Sequence, residues 1–290
     1  MHNAYLRPVE SRAPDHRLTS RMLVTPDRPA LEFLEAQPEE QASGAPLLFL
    51  HGAFAGAWTW AEIFMPLFAR RGRRVAAVSL RGHGGSEGHA DLRMATLADY
   101  VADARRAFAE FDEPPVVIGH SLGGLLGQML IGQEMRGLAL LASLPPEGLM
   151  LESPRLALTD PLIWVEAFLG SLGDAHLPIE AAAHQILFSE GLPRERVIRY
   201  SSRMTPEAPR VLAEAHLPRP MPSALLYGMP TLVVGGVNDR LVLRSSTLRT
   251  AVYHGATHRM AAGMGHFMML DIGAEEIARL VLDWLEERGL

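Results

Sequence analysis

Three side chains, widely separated in the chain, carry the types that nucleophilic catalysis needs. Ser121 lies in Gly119-His120-Ser121-Leu122-Gly123, Asp239 closes Gly235-Gly236-Val237-Asn238-Asp239, and His266 sits in Gly263-Met264-Gly265-His266-Phe267. A serine hydroxyl is a weak nucleophile at neutral pH and needs a base within hydrogen-bond reach. An imidazole can take the hydroxyl proton and later return it to a leaving group. A carboxylate behind the imidazole fixes its tautomer and stabilises its cation. Each residue also has a plainer reading: Ser121 as a cap of the following helix, His266 as a buried structural histidine, Asp239 as the N-cap of a helix over Leu241 to Val252. Glu147, just past an earlier strand, is a rival for the acid.

The elements around these residues decide between the readings. Pro115-Val116-Val117-Ile118 is a β-branched apolar run that enters Gly-x-Ser-x-Gly, and a helix-forming run, Leu125 to Ile131, follows. Strand, sharp turn, helix is the context that gives the motif its meaning. A serine on so tight a reversal is held in a strained backbone region. The chain passes close to itself two residues before and after, where Gly119 and Gly123 remove a clashing Cβ. A helix starting at Leu122 turns free N–H groups and the positive end of its dipole towards Ser121, so negative charge developing there is stabilised.

The rest of the chain reads as strands alternating with helices. Strands are expected at Leu18 to Val24 and Leu31 to Ala36 with a turn at 26–29, then at Leu47 to Leu50, Val75 to Leu80, Leu138 to Leu141, Thr231 to Gly235 and His258 to Ala261. Helical spacing covers Trp58 to Arg70, Leu97 to Phe111, Arg244 to Val252 and Glu275 to Glu287. Such alternation implies an α/β fold whose mostly parallel sheet is covered on both faces. From 145 to 222 prolines are dense, short helical pieces such as Leu162 to Leu169 and Ile179 to Phe188 lie between them, and no strand is apparent. This gives a core over 18–144 and 223–290, a helical cap insertion over 145–222 and a loosely ordered N-terminal segment over 1–17. Sites in open α/β sheets form beyond the carboxyl ends of strands. Ser121, His51-Gly52-Ala53, Asp239 and His266 all follow strand ends.

On His51-Gly52, Arg81-Gly82-His83-Gly84-Gly85-Ser86, Gly119-His120-Ser121-Leu122-Gly123-Gly124, Asp239 and Gly265-His266, the chain resembles the serine-nucleophile α/β-hydrolases, in the broad bacterial group with a helical cap. The resemblance implies the α/β-hydrolase fold, Ser121 as nucleophile, His266 as base and Asp239 as acid. It implies an oxyanion hole made by the backbone N–H of Leu122 and that of Ala53, with Phe54 as the alternative to Ala53. It also implies a carboxylesterase-like activity through an acyl-enzyme. Carbon–carbon bond hydrolysis, thioester cleavage, acyl transfer and perhydrolysis use the same groups, and a non-catalytic receptor could use the same fold. Dehalogenases and epoxide hydrolases of this fold need Asp at the place of Ser121.

Phe54, His120, Trp164, Phe168 and Phe267 are the expected pocket residues, and they favour small to medium apolar esters. Trp58, Trp60, Phe188, Met204 and Met268 are further candidates, for which core packing is the alternative. Arg155 and Arg203 could hold a carboxylate. His51 is expected to orient the oxyanion loop. His83, His89 and Asp91 suit a glycine-rich loop better than a metal, and neither metal nor cofactor is expected. The chain has 290 residues, 48% hydrophobic, a formal charge of −6 and no cysteine. That excludes disulfides and thiolate chemistry and argues against a nucleic-acid partner. No apolar run is long enough for a membrane span and no secretory signal is seen, so a cytoplasmic protein is expected, with a homodimer left open.

Overall fold

The computed structural model describes residues 18–39, 42–150, 158 and 186–290. The expected segment 1–17, the helical piece at 162–169, most of that at 179–188, and Arg155, Trp164 and Phe168 lie outside them.

Eight strands form one sheet: β1 (Thr19–Thr25), β2 (Arg28–Ala36), β3 (Leu47–Leu50), β4 (Val75–Val78), β5 (Val116–His120), β6 (Gly137–Leu141), β7 (Thr231–Gly236) and β8 (Thr257–Ala261). Their order is β1-β2-β4-β3-β5-β6-β7-β8. β1 pairs antiparallel with β2, and β2 with β4; all other pairs are parallel. The first hairpin is tighter than expected. Arg28 and Pro29 belong to β2, and the reversal is made at 26–27 with Asp27 at φ 59°.

The central strands are buried on both faces, so they read as unbroken apolar runs. Side chains alternate across the pleat. Leu47 and Phe49 of β3 and Val116 and Ile118 of β5 enter one hydrophobic layer. Leu48, Leu50 and Val117 enter the other. The first layer is covered by α1 (Trp58–Ala61), α2 (Phe64–Arg70) and α8 (Ala274–Glu287). The second is covered by α3 (Leu97–Phe108), α4 (Leu122–Met129), α6 (Pro209–His216) and α7 (Arg244–His254).

The single helix expected over Trp58 to Arg70 is broken at Glu62-Ile63. Pro66 is the reason: inside a continuous helix it would lack the N–H needed for the Glu62 carbonyl and its ring would press on that group. Restarting at Phe64 places Pro66 in the first turn, where the missing N–H costs nothing. Trp60 stacks on Phe49 with centroids 4.9 Å apart, which makes it a core residue and not a pocket one.

Within 145–222 the described residues form α5 (Arg194–Ser201) and α6. These helices do not stand clear of the core. Val197 and Tyr200 join the first layer, and Val211 and Ala215 join the second against α3. No helix among the described residues is long and apolar enough to cross a membrane.

Candidate active site

The turn from β5 into α4 has Ser121 at φ 50°, ψ −117°. For a residue with a Cβ this left-handed value costs about 1–3 kcal/mol. It is held by backbone bonds on both sides. Ser121 N–H donates to the Leu141 carbonyl at 3.1 Å, and the Ser121 carbonyl accepts from Leu125 and Leu144. The flanking glycines are required by proximity. A Cβ on Gly119 would lie 2.4 Å from the Gly123 carbonyl oxygen, and one on Gly123 would lie 2.3 Å from that of Leu50. Both obstacles are backbone, so neither side can yield.

The Ser121 side chain meets His266, delivered by the loop after β8. His266 Nε2 lies 2.9 Å from Ser121 Oγ, and its Nδ1 lies 2.9 Å from Asp239 Oδ2. All three residues are buried. The other oxygen of Asp239 accepts N–H bonds from Leu241 at 2.8 Å and Val242 at 3.0 Å. Asp239 is not the N-cap of the following helix, which starts at Arg244 with Leu243 as its cap; it ties the turn before α7 and faces the imidazole. Glu147, the rival acid, is held by Arg249 Nε at 2.6 Å.

Two buried groups hold the backbone of the His266 loop. His120 Nε2–H donates to the His266 carbonyl at 3.0 Å. Its ring lies between His266 and Phe267, with centroids 4.8 Å from each. Asp271 accepts from Gly265 N–H at 3.0 Å, Ile272 N–H at 2.8 Å, Ser189 N–H at 2.9 Å and Ser189 Oγ at 2.6 Å. Four donors on one carboxylate tie the histidine loop to Ser189, within the 145–222 segment. Nothing in the sequence marks Asp271 for this, because its partner Ser189 is 82 positions away.

The loop after β3 runs beside the elbow. His51 Nε2 accepts from Leu80 N–H at 2.9 Å, so the proton sits on Nδ1 and is donated to the Gly52 carbonyl at 2.8 Å. Among the described residues, no protein acceptor takes the N–H of Leu122 or of Ala53. Phe54 differs. Its N–H donates to Glu207 Oε2 at 3.2 Å, its carbonyl accepts from Thr205 N–H at 3.0 Å, and its φ is 62°. Of the two residues considered for the second oxyanion donor, Ala53 therefore has the free group.

Of the expected pocket residues, Phe54 is half-buried, and His120 and Phe267 are buried against the site. Phe188 packs 5.8 Å from Phe267, centroid to centroid. The guanidinium of Arg203 lies 4.5 Å from the centre of the Trp58 ring, a cation–π contact. His83 pairs with Glu207 at 3.2 Å.

Three buried imidazoles are held neutral. Burial, helped by the charge of neighbouring His83, pushes His51 down to about 3. Burial and the neighbouring His266 push His120 well below the ordinary range. Burial pushes His254 down to about 4 where it donates to Gln128. In each case the unfolded chain binds a proton below about 6.5 that the folded chain refuses, so stability falls as pH drops from about 6.5. The slope is about 1.4 kcal/mol per pH unit for each ring, up to about 4 kcal/mol per unit for the three together. Urea denaturation at pH 7.0, 6.0 and 5.0 should show a steep fall; a flat profile would contradict neutral burial.

Comparison with known proteins follows this geometry. The model of the alpha/beta hydrolase family matches residues 47–280. Protein phosphatase methylesterase 1 of Mus musculus is 34% identical over 88 residues, 29% of this chain and 23% of that protein. Salicylic acid-binding protein 2 of Nicotiana tabacum is 33% identical over 88 residues, 28% of this chain and 32% of that protein. The match thus spans less than a third of these relatives' length, 23% of one and 32% of the other. Among solved structures, a carboxylesterase structure from Nitrososphaera gargenis superposes with TM-score 0.67 at 16% identity, covering 92% of this chain and 98% of that one. The enol-lactonase from Burkholderia xenovorans LB400 superposes with TM-score 0.66 at 16% identity, covering 89% and 97%. At such identity the structural likeness speaks for the fold alone. Together with the family match over most of the chain, it leads to one assignment: this chain belongs to the alpha/beta hydrolase family.

Proposed function

We propose that the protein is a carboxylic-ester hydrolase that works through an acyl-enzyme on Ser121. The observation that carries this reading is the unbroken series Ser121 Oγ, His266 Nε2, His266 Nδ1, Asp239 Oδ2, with both links at 2.9 Å. Ser121 Oγ attacks the ester carbonyl carbon while its proton passes to His266 Nε2. The carbonyl electron pair moves onto oxygen, where the Leu122 and Ala53 N–H groups receive the charge. Losing one such donor costs about 10²–10³-fold in rate. The intermediate collapses, the carbon–oxygen bond to the alcohol breaks, and the alcohol takes the proton from His266. Water then adds to the acyl carbon as it passes a proton to His266; the bond to Ser121 Oγ breaks, His266 returns the proton to that oxygen, and the acid leaves. Asp239 stays ionised throughout and stabilises the imidazolium in both halves.

Phe54 and Phe267 beside the site support an apolar acyl or alcohol group, and the methylesterase relatives support ester as the bond class. Trp164 and Phe168, outside the described residues, are proposed as further pocket residues from their place in the sequence. The 145–222 segment is proposed as a cap over it. A receptor needs only a pocket, and would have no use for a strained serine hydrogen-bonded to an imidazole–carboxylate pair. The test is turnover of p-nitrophenyl esters from acetate to octanoate. The reading predicts saturable hydrolysis with an optimum at short to medium chains. Absence of turnover across the series would contradict it.

A further inference from the structure

Glu207 is fully buried, belongs to the 145–222 segment, and takes no part in the chemistry just described. It nonetheless accepts three hydrogen bonds and faces a buried imidazole. Its Oε1 accepts from the Tyr100 hydroxyl and from Ala208 N–H at 2.7 Å. Its Oε2 accepts from Phe54 N–H at 3.2 Å and faces His83 Nε2 at 3.2 Å. His83 Nδ1–H donates to the Arg81 carbonyl at 3.0 Å, so a proton on Nε2 as well makes the ring a cation facing the carboxylate. The Arg81 loop is itself fixed, because Arg81 Nε donates to buried Asp103 Oδ2 at 2.8 Å. These contacts converge on Phe54, whose other peptide group is held by Thr205 N–H at 3.0 Å. Phe54 is a bulky residue at φ 62°, a conformation that persists only when its surroundings impose it.

We propose that Glu207 is a positioning residue for the oxyanion hole: by gripping both sides of Phe54, the 205–207 segment fixes the preceding peptide so that Ala53 N–H faces the carbonyl oxygen of a substrate on Ser121. This rests on the ester-hydrolase reading above. Electrostatics agree with the geometry. Burial opposes the charge on both partners, yet the attractions together outweigh it: Glu207, with the Arg81 carbonyl and Asp103, holds His83 above the ordinary histidine value, and His83, with the Tyr100 hydroxyl and Ala208 N–H, holds Glu207 below the usual carboxylate range. A grip made by a paired carboxylate is stiffer than one made by a neutral acceptor, since hydrogen bonds to charged groups are about twice as strong.

Glu207→Gln is the decisive variant. It keeps the volume but has one acceptor oxygen in place of two. If that oxygen faces Tyr100 and Ala208, an NH₂ group confronts Phe54 N–H; if it faces Phe54, Ala208 N–H is left without an acceptor. With an activated ester, kcat should fall about 10–100-fold while KM changes less than about threefold. Affinity for an alkyl trifluoromethyl ketone, whose adduct places an oxyanion in the hole, should fall in parallel with kcat. Leu282→Ala, a truncation of a buried core residue in α8 outside the catalytic loops, should lower stability and leave both ratios near one. Hydrogen exchange of the 50–56 backbone should quicken in Glu207→Gln with 116–120 still protected. Unchanged exchange at 50–56 would overturn the proposal even if the wild type hydrolysed no ester, a result that would instead sink the activity assignment. In an active wild type, equal loss in KM and kcat, or unchanged ketone affinity, would overturn it as well.

Discussion

Ser121→Ala is expected to lower kcat for any substrate ester by about 10⁵–10⁶-fold and to abolish covalent labelling by a fluorophosphonate. The magnitude follows from the cooperative design of such sites, where removing the nucleophile costs about as much as removing the whole constellation. The loss is chemical and not structural. Alanine keeps the Cβ, so the backbone at φ 50° carries the same strain, and the bonds to Leu141, Leu125 and Leu144 are all main-chain. The variant should melt within a few degrees of the wild type. Residual hydrolysis of about 10³-fold over water would come from the Leu122 and Ala53 donors alone. Undiminished labelling in the variant would remove Ser121 from the role.

Asp239→Asn should cost about 10⁴-fold in kcat with the fold intact, and the hydrogen bonds around Asp239 explain why. Its Oδ1 already accepts Leu241 and Val242 N–H at 2.8 and 3.0 Å. An asparagine oxygen must take that place, which points its NH₂ at His266 Nδ1. The ring then accepts at Nδ1, its proton moves to Nε2, and Nε2 can no longer accept from Ser121. A wrong tautomer of this kind carries a loss of about four orders of magnitude in Ser-His-Asp enzymes. Glu147→Gln should change kcat only a few-fold, since it breaks the pair with Arg249, whose Nε lies at 2.6 Å, and leaves His266 untouched. The opposite ranking would transfer the acid's role to Glu147.

The parts of this arrangement that were legible in the sequence are those set by local chemistry. Val116 to Leu122 had to be strand, turn and helix, because a β-branched run met glycines at the places where backbone passes backbone. The α/β alternation showed because strands buried on both faces are apolar without interruption. Local rules also misled where one residue overrode a periodicity: Pro66 split a helix whose apolar spacing was continuous. They could not reach Glu207 or Asp271 at all. Glu207 sits in Pro206-Glu207-Ala208-Pro209, a stretch with no motif, and its partner Phe54 lies 153 positions away. A buried carboxylate that accepts donors from distant loops has no periodic signature, and only the assembled fold displays it. The proposed acid was an intermediate case. Asp239 and Glu147 each follow a strand end, and the choice turned on which loop meets the imidazole.

The claim on which everything else depends is that Ser121 becomes covalently acylated. Intact-protein and peptide mass spectrometry after rapid mixing with an ester, quenched in acid within milliseconds, measures this directly. The account predicts one acyl group per chain, located on the peptide that contains Ser121, absent in Ser121→Ala and longer-lived in the Asp239→Asn variant. Turnover with no adduct at Ser121, or with the adduct on another residue, would contradict it.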